Sequence, residues 1–178
     1  MEPQTTLHEL ILPAWRTNAL VTERVVQGLP QAIYLASVPG WPRRTVRSLA
    51  AHLHNSRCGW LRTLGQPLGL PVPALVDRNA VSRADLVRAL RQSSRGMLAL
   101  LELGCDRGGQ IPPTARYVWR NLALDVGHVL TYFVSHESHH RGQLVLIARQ
   151  LGVPLPAAVV DGLWQWKPAR VAARRRTR

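Results

Sequence analysis

Four segments of the chain carry apolar residues at three-, four- and seven-residue steps, the spacing that lines up side chains on one face of an α-helix. The first, Thr6 to Gln27, places Leu12, Trp15, Ala19 and Val26 in one stripe. Pro13 lies inside it and predicts either a kink or a later start. Gly28-Leu29-Pro30 closes the segment, and a loop or short helix is expected through Val38-Pro39-Gly40-Trp41-Pro42. The second segment, Thr45 to Gly65, carries Val46, Leu49, Leu53, Trp60 and Leu64, with Gly65 as a natural residue just past a helix end. The proline-rich stretch Gln66 to Pro73 is expected to be a non-helical connection.

The third segment opens at Ser82, with Asp85 three residues on, a capping box with the shorter acid. Such a cap is worth about 1 kcal/mol. Leu86, Leu90, Met97 and Leu101 follow on one face, and Gly104 ends it. Asp106 to Arg116 reads as loop. The fourth segment, Asp125 to Leu151, presents Tyr132, Phe133, Leu144, Ile147 and Leu151, and Gly152 and Pro154 stop it. A short helix is expected over 157–164. No segment shows convincing two-residue alternation, so the predicted class is all-α, a four-helix bundle with a short extra C-terminal helix.

The chain has 178 residues, enough for one domain with a proper core. We expect a single domain over 1–166 and a basic, disordered tail over 167–178. The net charge of +13 raises the question of nucleic acid, but six of those charges (Lys167, Arg170, Arg174, Arg175, Arg176 and Arg178) crowd into the tail. One Phe and three Tyr offer little stacking surface for bases, so nucleic acid is not the expected partner. No run approaches the ~18 apolar residues of a membrane span, and the start lacks the charged-then-apolar pattern of a signal peptide. A cytoplasmic protein is expected, without membrane attachment. Two cysteines, Cys58 and Cys105, make no disulfide framework and are read as reduced, partly buried thiols.

The chemistry concentrates in His136-Glu137-Ser138-His139-His140-Arg141-Gly142-Gln143. At 3.6 residues per turn His136 and His140 lie one turn apart on one face, so both imidazoles can reach one ion. A reactive zinc-type site has three protein ligands and an open position. The second segment supplies candidates for the third: His52 and His54, which point to different sides of a helix. Periodicity alone places His54 nearer the Leu53/Trp60/Leu64 stripe. His128, about two turns before His136, could line the same cleft or cap its helix, and His8 reads as a surface residue.

The letters HESHH also satisfy the zinc-protease pattern HExxH, in which Glu137 would be the general base. The longer version of that pattern needs Gly at 143 and His at 146, where this chain has Gln143 and Leu146. No Glu follows Glu137 to act as a ligand either. Glu137 is therefore read as solvent-facing or supporting, Arg141 and Gln143 as residues that fix helix packing, and Gly142 as a point of close helix approach.

Gly40-Trp41 followed by Thr45-Val46-Arg47-Ser48-Leu49-Ala50-Ala51-His52-Leu53 resembles one motif of the DinB/YfiT-like family of four-helix metalloproteins, and His136 to Gln143 resembles its second, down to Arg149-Gln150-Leu151-Gly152. The resemblance covers roughly Thr6 to Gly152; Leu103 to Ala123 has no clear match and is expected to shape substrate choice. It implies a bundle of up-down-down-up type and one divalent ion, zinc or nickel, held by His52, His136 and His140. His54, where the family usually has a small residue, and His128 become candidates for a proton acceptor in catalysis. Some members are transferases that use a low-molecular-weight thiol. A thiol-dependent S-transferase acting on a small electrophile is therefore the leading expectation. A metal-hydroxide hydrolase and a non-catalytic stress-response metal-binding protein are the alternatives. Trp15, Trp60, Trp119, Trp164 and Trp166 suggest either core or the contact of a homodimer.

Overall fold

The computed structural model describes residues 5–115, 117, 121–164 and 166. The expected tail, 167–178, and Trp119 lie outside the described residues. Four long helices make the bundle: α1 (Leu7–Gly28), α3 (Val46–Trp60), α4 (Arg83–Asp106) and α5 (Val126–Gln150). Short helices α2 (Gln31–Leu35) and α6 (Ala157–Asp161) flank them. Around the bundle the packing order is α1, α4, α3, α5, so α3 and α5 are neighbours along their length.

Helix starts follow local chemistry. Thr6 and Glu9 form a reciprocal capping box at α1, which carries Pro13 in its interior rather than beginning there. Thr6-x-x-Glu9 is the plain sequence signature of that box, and the pattern of apolar positions alone passed over it. Ser82 caps α4 by accepting from the Asp85 backbone N–H, and Asp125 caps α5 by accepting from that of His128. The end of α3 widens into a π-turn at Leu61–Gly65, and a 3-10 turn follows at Gln66–Leu68, a stretch expected to hold no helix.

One expectation is corrected. Ser37–Val38 (β1) and Trp41–Thr45 (β2) form a small antiparallel hairpin where a loop or short helix was predicted. Gly40 turns it with φ of +74°, a conformation side-chain-bearing residues rarely adopt.

The core is two apolar clusters. One centres on Val25, Leu29, Ile33, Leu53, Leu90 and Leu144, the other on Trp15, Leu61, Leu64, Met97, Leu100 and Phe133. Each fully buried side chain of this size contributes roughly 1.5–3 kcal/mol. Trp15 is wholly buried, its indole N–H donating to the Ser94 carbonyl at 3.0 Å, and Trp60 is nearly so. These two belong to the core and are not dimer surface; Trp164 and Trp166 are exposed. Among the described residues no helix is long and apolar enough to cross a membrane.

Candidate metal centre

The seam between α3 and α5 brings His52, His136 and His140 together. Nε2 of His136 lies 3.1 Å from Nε2 of His52 and 3.2 Å from Nε2 of His140. The rings meet edge to face, with interplanar angles of 66° and 83° within the group. His140 is buried and the other two are half-buried.

This geometry suits a cation better than it suits a proton. Each imidazole nitrogen has one in-plane site, so a proton on His136 Nε2 serves only one of its two close neighbours. An ion about 2.0–2.1 Å from each nitrogen would see those two separations as angles of about 100°, near tetrahedral. The rings are also held in the neutral, ligating form. Burial, then the charges of His140, His136, Arg78 and Arg44, pushes His52 down to about 4. Burial first, and neighbouring positive groups second, lowers His136; burial likewise lowers His140, against the opposing pull of Gln143.

Gln143 sets the direction of one of these imidazoles. Its Oε1 accepts from His140 Nδ1–H at 2.8 Å, which leaves the Nε2 lone pair facing the other two histidines. Gln143 thus orients an imidazole rather than fixing helix packing. Tyr132 stacks on the His136 ring, 5.7 Å between centroids and 10° between planes, while His136 Nδ1 is buried without a hydrogen-bond partner among the described residues. Gly142 faces solvent with nothing within 4 Å of a would-be Cβ, so it is no point of close helix approach.

The other candidate histidines lie elsewhere. His54 is fully buried on the far side of α3, donating from Nε2 to the Ala74 carbonyl at 2.9 Å with Cys58 Sγ 3.3 Å away. The proximity of His54 to the apolar stripe was real; it marks a core residue that pins the 69–82 connection. Cys58 lies beside it, and burial pushes its thiol up to about 11. His128 is exposed at the start of α5, with Nδ1 2.6 Å from Asp125 Oδ2, in the capping role. His8 pairs with Asp106 at the surface. None of these groups is among the three that converge.

Glu137 is not solvent-facing. It is wholly buried, and both carboxylate oxygens are occupied. Arg57 donates from Nε to Oε1 at 2.7 Å and from Nη2 to Oε2 at 2.8 Å; Thr22 and Asn18 also donate to Oε2, at 2.7 and 2.9 Å. Arg141 extends the network through Asn18, Thr22 and Ser138. A carboxylate held this way is structural, and it does not face the histidines as the base of a zinc protease would.

A cavity of about 370 Å³ opens beside His140, lined by the hairpin (Val38, Trp41, Arg44), by Leu49, and by His139, Gln143, Leu146 and Ile147 of α5. The hairpin, α3 and α5 thus line this cavity, and no described residue of 103–123, the region expected to shape substrate choice, is among its lining residues. His139, which the sequence reading passed over, lies exposed at the cavity edge with its ring centroid 5.1 Å from that of His140. Its place next to the His136/His140 pair was the available signal.

A family model described as the DinB family matches residues 1–175. No curated protein matches the chain.

Proposed function

The chain belongs to the DinB family, and from that premise we propose that it is a cytoplasmic metal-dependent enzyme in which His52, His136 and His140 hold one zinc or nickel ion. Its reaction, in this reading, is transfer of a low-molecular-weight thiol to a small electrophile. The observation that carries the proposal is the meeting of three neutral imidazole nitrogens with no carboxylate among them. Neutral donors leave the full charge of a divalent ion in place, which favours an anionic further ligand. A bound ion would supply the Lewis acidity that turns a thiol into thiolate near neutral pH.

The protein's own residues would do the rest. Gln143 keeps the ligating nitrogen of His140 free of a proton. Val38, Leu49, Leu146 and Ile147 give the cavity an apolar wall that keeps water from the stem of a substrate. His139, at the cavity edge, is the group positioned to take up or return a proton. Among the described residues no free carboxylate joins this arrangement, since Glu137 already accepts from Arg57, Thr22 and Asn18, so hydrolysis would use His139 as its base and is separated from thiol chemistry by whether turnover depends on thiol.

The test is metal analysis of protein purified without a nickel column, followed by cobalt substitution and addition of thiol. One equivalent of metal, a thiol-dependent change in the cobalt spectrum and transfer to a model electrophile are expected. Turnover indifferent to thiol would instead identify a hydrolase, and a protein that takes up no metal would end the proposal.

A further inference from the structure

We infer that the cavity beside His140 takes a small amphiphilic anion, its carboxylate or other oxyanion gripped by Arg44 and Arg78 and its apolar stem lying against Val38, Leu49, Leu146 and Ile147. That this anion is a substrate rests on the proposed metal site; the anion anchor itself does not.

Two cavities meet at the hairpin. Beyond the one next to His140 lies a second, of about 330 Å³, lined by Trp41, Arg43, Arg44, Ser48, Arg78 and Asn79. Both are lined by Trp41 and Arg44, whose guanidinium carbon sits 4.8 Å from the indole centroid. Stacking of this kind holds the guanidinium plane still and leaves its edge N–H groups to meet a planar oxyanion. The stacked pair stands where the apolar cavity passes into the basic one.

Among the described residues the charge at this junction has no counter-ion. No carboxylate lines either cavity, and among the described residues Arg43, Arg44 and Arg78 make no ion pair. Arg57, Arg88 and Arg91 each have a carboxylate partner. The Nε–H of Arg44 is buried with no acceptor among the described residues, and Arg78 makes one long bond, from Nε to the Ser48 carbonyl at 3.4 Å. A guanidinium partly withdrawn from water without a partner is unfavourable until an acceptor arrives, and carboxylates and phosphates present the matching pair of oxygens. Arg44 and His140 line the same cavity, so an anion held by Arg44 lies beside the proposed metal site.

The experiment is calorimetric titration of the full-length protein, chelator-treated and zinc-loaded, with hexanoate, hexyl phosphate and the uncharged hexanamide. Either anion should bind at least about tenfold tighter than the amide in both preparations. The better of the two identifies the oxyanion. Arg44→Gln and Arg78→Gln should each weaken the anion about tenfold and leave the amide unchanged, while Arg88→Gln changes neither. Melting curves show that each variant remains folded, and two independent variants guard against a collapsed hairpin. Equal affinities for anion and amide, or anion binding indifferent to both Arg44 and Arg78, overturn the inference. So does anion binding that needs zinc and ignores the arginines. Failure of zinc to bind would remove the metal proposal while leaving the anchor standing.

Discussion

Arg57 of α3 and Glu137 of α5 form a two-pronged ion pair at the centre of the bundle, with contacts of 2.7 and 2.8 Å and both side chains essentially without exposure. Glu137 directly follows His136, so the two side chains leave the helix about 100° apart, one to the more open seam and one to the interior.

Removing one member of that pair strands the other charge in the core. Arg57→Met is expected to destabilise the protein by about 3–5 kcal/mol. The double variant Arg57→Met, Glu137→Met should recover part of this loss. Urea unfolding of the wild type, Arg57→Met, Glu137→Met and the double variant measures both effects, and a double variant worse than the sum of the singles would contradict the assignment.

His52 and His54 separate function from stability. His52→Ala should abolish tight zinc binding with little change in unfolding midpoint. His54→Ala leaves the Ala74 carbonyl without its donor, which costs about 1–3 kcal/mol, and should retain full zinc stoichiometry. Equilibrium dialysis alongside denaturation distinguishes the two, and a reversed pattern would exchange their roles.

Gln143→Leu takes away the acceptor that aims His140. Loss of such a partner typically weakens metal binding about 10–100-fold. Competition with a fluorescent zinc chelator reads this directly. An unchanged affinity would mean that ring packing alone orients His140.

Acid should weaken the metal-free protein through the same three imidazoles. Above about 6.5, their ordinary value, they are neutral folded or unfolded and add no pH dependence. Below it the unfolded chain binds protons that the folded group resists, so stability falls as pH drops towards about 4, the folded value of His52. Unfolding midpoints across this range, compared with those of His52→Gln, isolate the contribution. The variant's slope should be shallower; an equal slope would assign the effect to other groups.

The long helices were legible because their apolar stripes follow a 3.6-residue period. The hairpin was not, since Trp41-Pro42-Arg43-Arg44-Thr45 has no apolar alternation and β1 is two residues long. His136 and His140 were readable as a pair from spacing. Periodicity alone leaned towards His54 and the family resemblance implied His52; the structure places His52 with the other two, and periodicity missed it because burial in the core and proximity to the seam both look like nearness to an apolar stripe. The solvent-facing alternative for Glu137 fails for a related reason. A rotation of about 100° away from His136 leads into the bundle, since the histidine face is the more open one. The available hint was Arg57, an arginine set among Leu53, Trp60 and Leu64, which needs a buried acid.

Trp41, Arg43 and Arg44 belong to neither core cluster, yet two of them wall the cavity. Exchange of residues within 37–45 can therefore re-tailor which molecules gain admission while the imidazoles stay in register. Under the proposed function, such exchanges would alter what the protein accepts sooner than what it does to it.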